Sequence, residues 1–188
     1  MMGKPNVGKS TLLNAMLQQK VAAVSPRPQT TRKRQMGILT LENAQVVFID
    51  TPGVHQARYK LGKAMNQEAL SALAECDLIL WLVDASQPPD SEDISLAGQM
   101  GRLKKPVQTI LVLNKIDLIP PEEVSEHEIM FANLLPHAFL TRISATRGDR
   151  MDGLLSEMLA RLPVHAPYFP QDQLTDLYWR AGTLWVVR

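Results

Sequence analysis

The stretch Gly3-Lys4-Pro5-Asn6-Val7-Gly8-Lys9-Ser10 decides the fold of this 188-residue chain, because it fits the phosphate-loop pattern GxxxxGK[ST]. In this pattern, backbone N–H groups surround a phosphate, and the two glycines allow the backbone to curl and approach it closely. The lysine supplies positive charge and the final hydroxyl is a ligand for Mg²⁺. A chance match occurs in roughly one chain of this size in a hundred. The pattern therefore predicts nucleotide binding at the start of a helix, provided that the downstream sequence supports it.

Composition places the chain among ordinary globular proteins, with 45% hydrophobic and 21% charged residues. Its length suits one α/β domain with a full core. The formal net charge of +1 gives no strong overall case for binding nucleic acid or a membrane surface. The longest apolar run, Leu78 to Val83, has the length of a strand and not of a membrane helix. The single cysteine, Cys76, fits a reducing compartment and is interpreted as a small core residue at the entrance to a strand.

Strand and helix signals alternate after the phosphate loop. Helices are predicted from Ser10 to about Gln19, from about Leu61 to Ala74, from Asp90 or Ser91 to about Leu103, and through the apolar positions Met151 to Leu162. Strands are predicted at Met36 to Leu41, Gln45 to Asp50, Asp77 to Val83, Val107 to Leu113 and Ala138 to Ile143, the first two as a hairpin. This order predicts an α/β fold with a doubly wound, mostly parallel sheet and a ligand at its carboxyl edge.

Two segments are candidates for closing on Mg²⁺ and the γ-phosphate. Asp50 ends an apolar strand and begins Asp50-Thr51-Pro52-Gly53, in which the carboxylate can hold a metal-bound water and the Gly53 N–H can meet the phosphate. The segment from Ser25 to Arg34 contains two prolines and no periodicity, so it is a loop. It can be a solvated basic connector, or a switch in which Thr30 or Thr31 reaches Mg²⁺ when the γ-phosphate is present.

The sequence Asn114-Lys115-Ile116-Asp117 follows another buried strand and indicates guanine as the base. The Asp117 carboxylate can accept hydrogen bonds from N1–H and from the exocyclic amino group of guanine, which adenine does not offer. We expect Asn114 to tie this loop to the phosphate loop, and the stem of Lys115 to lie over the base. Backbone N–H groups at Ser144 and Ala145, after the last strand, could meet the guanine carbonyl oxygen. The alternative interpretation of Asn114 to Asp117 is an exposed turn at the end of a strand.

Four elements in this order, GKPNVGKS, DTPG, NKID and SA, resemble the translation-factor-type GTPases. Within that group, the segments PQTTR, TPGVH and FPQDQLTD are similar to the Era-type family of bacterial GTPases. The resemblance extends from Gly3 to about Asp176. It implies the Ras-like fold of P-loop NTPases, and it implies GTP, GDP and Mg²⁺ as ligands.

The resemblance also assigns residue roles. It implies nucleotide contacts at Asn6, Val7, Gly8, Lys9, Ser10, Thr11, Asp50, Gly53, Asn114, Lys115, Asp117, Ser144 and Ala145. It implies catalytic roles for Lys9, Thr31 and Gly53, Mg²⁺ ligation by Ser10, Thr31 and (through water) Asp50, and a K⁺ site at Asn6. Val54 stands where several GTPases have a glutamine that orients the attacking water. Because an apolar side chain cannot do this, slow hydrolysis is expected unless potassium or a partner assists.

As partners, the resemblance implies the small ribosomal subunit and its 16S rRNA, with peripheral contact to the inner membrane as a further implication, for a monomeric cytoplasmic protein. Only Met1 and Met2 precede the phosphate loop, so the first central strand is expected to be missing or severely shortened. Residues 1–162 are interpreted as the GTPase domain, and residues 163–188 as a proline-rich linker with a divergent tail in place of the KH RNA-binding domain of the family. Two alternatives are a truncated fragment that binds no nucleotide, and a related GTPase of tRNA modification or large-subunit assembly.

Overall fold

A computed structural model describes residues 1–20, 35–50, 76–103 and 106–173. The predicted switch segment with Thr30 and Thr31, the residues Gly53 and Val54, the predicted helix from Leu61 to Ala74 and the tail after residue 173 lie outside the described residues.

The described residues form an α/β fold with five strands and four α-helices. The elements in chain order are α1 (Lys9–Leu17), β1 (Gln35–Thr40), β2 (Gln45–Asp50), β3 (Leu78–Asp84), α2 (Ser91–Met100), β4 (Gln108–Asn114), a 3₁₀ turn (Ile116–Leu118), α3 (Pro121–Leu134), β5 (Phe139–Arg142) and α4 (Met151–Leu159). The predicted elements within the described residues are therefore present, with ends that shift by a few residues.

Local sequence explains how these helices begin and end. The side chain of Asp90 accepts hydrogen bonds from the N–H groups of Glu92 and Asp93, so it is the residue that caps α2. This helix ends at Met100 before Gly101, earlier than the predicted Leu103. Sequence reasoning did not predict α3, although Pro121 at its first position followed by two glutamates is a standard start signal.

The strands form a hairpin and a parallel sheet. Strands β1 and β2 pair antiparallel with Thr40 opposite Gln45, and β3, β4 and β5 pair in parallel in that order. Parallel strands of this kind run in one direction, so the predicted motifs that follow β3, β4 and β5 meet at one edge of the sheet. The doubly wound architecture is thus confirmed for the described part of the chain.

The first two residues lie in the gap between β2 and β3. Met2 pairs in parallel with Trp81: its N–H donates to Leu80 O and its carbonyl accepts from Leu82 N–H, each at 2.8 Å. The amino group of Met1 donates to Ile49 O at 2.5 Å. Residues 1 and 2 thus bridge the hairpin and the parallel sheet. Farther along the gap lies an apolar cavity of about 70 Å³.

The parallel sheet is covered on both faces, which explains the near-continuous apolar runs of its strands. Leu80 and Leu82 of β3 point into a core with α1 and α4, whereas Trp81 and Val83 point into a second core with α2 and α3. The Trp81 ring meets Phe131 of α3 edge to face, with centroids 6.3 Å apart. The two cores fix the sheet edge on which the candidate site is built.

The segment after α4 returns to the hairpin. The Gln45 side chain accepts hydrogen bonds from the N–H groups of Tyr168 and Phe169 at 3.0 Å and donates to Phe169 O at 3.0 Å. Residues 163–170, predicted to be a linker, contain no helix or strand. One side chain therefore anchors this linker against the start of β2.

Candidate nucleotide-binding site

The phosphate loop has the backbone that its glycines permit. Gly8 has φ of 102° and is the N-cap of α1, so it offers no side chain to the first N–H groups of that helix. A Cβ on Gly8 would lie 2.2 Å from Asn114 Nδ2, and one on Gly3 would lie 2.3 Å from Leu82 O. Both contacts are shorter than real side chains tolerate. The loop is consequently packed against two strand ends and leaves the positive end of α1 facing it.

Lys9 is the buried cation of the site, with 6% of its surface exposed. Its Nζ donates to Lys4 O at 2.8 Å and to Gly3 O at 3.0 Å, so the ammonium is held by the loop's own carbonyls. Burial lowers the pKa of Lys9 from 10.5 to about 8, although the nearby Asp50 charge opposes this change. A phosphate bound inside the loop would place a counter-charge next to this buried ammonium, whose hydrogen-bond acceptors at Gly3 and Lys4 are neutral carbonyls.

Ser10 and Asp50 present the oxygen atoms that a magnesium ion prefers. The Ser10 hydroxyl donates to Asp50 Oδ2 at 2.9 Å, and Asp50 is fully buried at the end of β2. Within the described ranges, no group of three or more His, Cys, Asp or Glu side chains could hold a metal by itself. The donor set fits Mg²⁺ that is held mainly by phosphate oxygens and water, with one hydroxyl and one water-linked carboxylate from the protein. Asn6, the residue assigned to K⁺, is exposed in the same loop and has φ of 64°.

Asn114 connects the phosphate loop to the loop after β5. Its Nδ2 donates to Val7 O at 2.8 Å, and its Oδ1 accepts from Ala145 N–H at 3.0 Å. The side chain is 2% exposed, so both hydrogen bonds are shielded from water. The contact between Asn114 and the phosphate loop was expected from the sequence, whereas the contact with Ala145 was not. One side chain thus fixes the spacing between the predicted phosphate and base regions.

Lys115 is held by a carboxylate that sequence reasoning overlooked. Its Nζ lies 2.5 Å from Asp84 Oδ2, and Asp84 also accepts from the N–H and hydroxyl of Ser86. Burial alone would raise the pKa of Asp84, but the hydrogen bonds from Lys115 and Ser86 outweigh it and lower that pKa. Asp84 ends β3 as Asp50 ends β2, and this repeated pattern could have identified it. The ion pair therefore fixes the Lys115 head group at the end of β3.

Asp117 lies in the 3₁₀ turn after β4, with its side chain 12% exposed. Arg147 Nε is 3.6 Å from Asp117 Oδ2, and the arginine side chain is largely exposed. Because the arginine is exposed and the contact is long, this ion pair contributes little to stability. A base could therefore displace the arginine and bring its own hydrogen-bond donors to the largely buried carboxylate.

Ser144 and Ala145 lie in the loop after β5, and both are buried. In this structure their N–H groups donate within the protein, from Ser144 to Asp149 O at 3.2 Å and from Ala145 to Asn114 Oδ1 at 3.0 Å. The sequence-based hypothesis had both groups available for a guanine oxygen. A guanine oxygen at this loop would have to share the Ala145 N–H with Asn114.

The structure brings the phosphate loop, Asp50, Asn114, Lys115, Asp117, Ser144 and Ala145 to the carboxyl edge of the strands. Thr11 follows Ser10 in the first turn of α1. The assigned residues Thr31 and Gly53 lie outside the described residues, and their roles remain predictions.

Comparison with known proteins identifies the family. The model of the 50S ribosome-binding GTPase family matches residues 1–115 of this chain. The chain belongs to this family. It is 42% identical over 186 residues to GTPase Era of Geotalea daltonii, an alignment that covers 99% of this chain and 62% of that protein. It is 45% identical over 175 residues to GTPase Era of Geobacter metallireducens, with 93% and 58% covered.

Solved Era structures have the same fold. One is Era in complex with MgGDPNP and nucleotides 1506–1542 of 16S ribosomal RNA, with a TM-score of 0.86, 39% identity and 93% of this chain matched to 59% of that one. Another is an Aquifex aeolicus Era variant bound to GDP and AlF4⁻, with a TM-score of 0.83, 37% identity and coverage of 93% and 60%. The predicted Era-type resemblance and Ras-like GTPase fold are confirmed. This chain spans about three fifths of the length of these relatives.

Within the described residues, no helix has the length and apolar character needed to cross a membrane.

Proposed function

We propose that this chain binds GTP and GDP with Mg²⁺ and hydrolyses GTP slowly, as an Era-type GTPase. The observation that supports this most strongly is the pair of Asn114 hydrogen bonds, because they hold the phosphate loop and the predicted base-reading loops at a fixed separation. Lys9 and the α1 N-terminus would bind the β- and γ-phosphates. Ser10 and, through a water, Asp50 would hold Mg²⁺, which would neutralise the charge of the phosphates when bound.

Base selection in this proposal depends on Asp117. Its carboxylate would accept two hydrogen bonds from guanine, and a bound adenine would leave it desolvated without them. Lys115 would flank the base while Asp84 fixes its ammonium group. Thr31 and Gly53 are proposed to complete the γ-phosphate contacts. Hydrolysis is proposed to be slow because Val54 cannot orient water, and K⁺ near Asn6 is proposed to accelerate it.

Nucleotide binding can be tested by titrating fluorescent GDP into the chain in the presence of Mg²⁺, with competition by unlabelled GDP or ADP. We expect submillimolar binding that GDP displaces and ADP does not. The matched control is Lys9→Met, which keeps the length of the side chain and removes the ammonium; it should bind neither nucleotide. If the folded wild-type chain bound no GDP, the alternative of a fragment without nucleotide binding would be correct.

The proposed partner is the small ribosomal subunit through its 16S rRNA, in a cytoplasmic monomer with a GTPase domain at residues 1–162 and a linker with a divergent tail at residues 163–188. This proposal is supported by the solved Era complex with 16S rRNA, of which this chain matches 59%. The test compares binding of the 3′ segment of 16S rRNA with binding of a shuffled RNA of the same length, with and without GTP. A preference for the rRNA segment would support the proposal. Preferential binding to tRNA or to 23S rRNA would favour the related GTPases instead.

A further inference from the structure

Lys4, a variable position of the phosphate-loop pattern, connects this loop to the start of α2. Its Nζ lies 2.7 Å from Asp93 Oδ2 and 2.8 Å from Asp90 Oδ2. The two aspartates are 86 and 89 positions away in the chain, so the contact is tertiary. The side chains of Lys4 and Asp93 are 17% and 1% exposed, whereas that of Asp90 is 55% exposed. The ion pair between Lys4 and Asp93 is thus shielded from solvent, whereas Asp90 is open to it.

Helix capping explains only part of the cluster. Asp90 and Asp93 form a reciprocal capping box, in which Asp93 Oδ2 accepts from Asp90 N–H at 3.1 Å. A capping box needs no lysine. However, Asp93 Oδ1 is buried and has no hydrogen-bond partner among the described residues. A buried carboxylate in this condition depends strongly on its one counter-charge, which is Lys4.

The backbone of Lys4 holds the catalytic lysine. Its carbonyl accepts a hydrogen bond from Lys9 Nζ at 2.8 Å, next to the bond from Lys9 to Gly3 O. The side chain of Lys4 therefore anchors the loop to α2, while its carbonyl locates the Lys9 ammonium. Among the described residues, hydrogen bonds link Asp93 to Lys9 through Lys4.

We propose that Lys4 is a positioning residue that sets the location of the Lys9 ammonium for phosphate binding by anchoring the phosphate loop to Asp93. This inference deepens the proposed function and rests on it. Lys4 itself contacts no nucleotide in the proposal, and its effect passes through Lys9. Loss of the anchor should weaken binding of the phosphates and leave recognition of the base unchanged.

The first test compares Lys4→Met with Lys4→Arg by GDP titration, and adds inosine diphosphate, which lacks the exocyclic amino group of guanine. Lys4→Met should lower GDP affinity at least tenfold, while the ratio of GDP to inosine diphosphate affinity stays within twofold of wild type. Lys4→Arg keeps the charge and should retain GDP affinity within about threefold. The proposal is overturned if folded Lys4→Met binds GDP like wild type, or if Lys4→Arg is as defective as Lys4→Met.

Asp93→Asn keeps an oxygen that can accept from the Asp90 N–H in the capping box. It also removes the buried carboxylate that Lys4→Met would otherwise leave without its counter-charge. In this background, adding Lys4→Met should lower GDP affinity much less than it does in wild type, because Lys4 then loses mainly its exposed ion pair with Asp90. Additive losses would contradict the proposal. Asp152→Asn, an exposed first-turn aspartate of α4, is the matched control and should leave GDP affinity unchanged.

A second measurement needs no nucleotide, so it separates this inference from the proposed function. The NMR signal of the Lys9 side chain is recorded in the nucleotide-free wild type, in Asp93→Asn and in Asp152→Asn. The signal should move in Asp93→Asn only, although Asp93 does not touch Lys9. An unmoved signal in folded Asp93→Asn would overturn the inference. Absence of GDP binding by wild type would overturn the proposed function instead.

Discussion

Lys9 is expected to destabilise the nucleotide-free chain, so replacing it should increase stability while it abolishes nucleotide binding. Burial lowers the pKa of Lys9 from 10.5 to about 8, against the opposing effect of Asp50. A difference of roughly 2.5 pH units corresponds to on the order of 3 kcal/mol of unfavourable burial of the charged form. Lys9→Met would also remove the donor for the carbonyls of Gly3 and Lys4, at about 1 kcal/mol each. The variant should therefore be more stable by about 1 kcal/mol at pH 7.

The pH dependence of this effect has a definite sign. At pH 7 Lys9 is charged in both states, and wild type carries the full cost. Between pH 8 and 10.5 the folded state loses the proton while the unfolded state keeps it, so wild-type stability rises relative to the variant by up to about 1.4 kcal/mol per pH unit. The advantage of Lys9→Met should shrink across this range and then reverse.

Urea denaturation at several pH values, with EDTA and without nucleotide, measures these differences. Lys20→Met, at an exposed lysine, is the control and should change stability by no more than about 0.5 kcal/mol. The reasoning would be refuted if Lys9→Met were less stable than wild type at pH 7. A stability difference that stays constant between pH 7 and pH 10 would refute it as well.

Two further substitutions test the loop packing and the linker anchor. Gly8→Ala would place a Cβ 2.2 Å from Asn114 Nδ2 at a φ of 102°, so we expect a loss of roughly 2 to 4 kcal/mol in the free energy of unfolding and at least tenfold weaker GDP binding. Unchanged thermal stability of Gly8→Ala would show that the loop relaxes freely. Gln45→Ala removes three hydrogen bonds to Tyr168 and Phe169, so chymotrypsin should cut after these residues faster while GDP affinity stays the same. Equal cleavage rates would mean that other contacts hold the linker.

Local sequence was sufficient to predict most of the strand and helix order, because its signals are local. The apolar run that ends in Asn114 reads as a buried strand with a polar terminus, and the Asn114 contact with the phosphate loop followed from that position. Helix α3 was missed although the signal was present at Pro121, since its apolar positions are few: only Val124 and Phe131 are buried. The start signal of α3 is thus local, but the sparse apolar positions give the helix a weak periodicity.

Other features could not be read from the sequence, because they depend on contacts between distant residues. The pairing of Lys4 with Asp93 spans 89 positions, and neither residue type predicts the other. The placement of Met2 beside Trp81 likewise depends on pairing between separate segments. The donation of the Ala145 N–H to Asn114, 31 positions away, likewise joins separate segments of the chain. Register and side-chain direction decide such contacts, and composition does not encode them.

Guanine recognition by Asp117 is the central claim, and exchanging the base tests it most directly. Xanthine carries an oxygen where guanine has its exocyclic amino group, so an asparagine amide can donate to it where the Asp117 carboxylate cannot. The measurement is the affinity of wild type and Asp117→Asn for GDP and for xanthosine diphosphate. Wild type should prefer GDP, and the preference should reverse in Asp117→Asn, with a combined change on the order of 100-fold or more. An unchanged preference in the folded variant would contradict the assignment of this edge of the sheet as a guanine-nucleotide site.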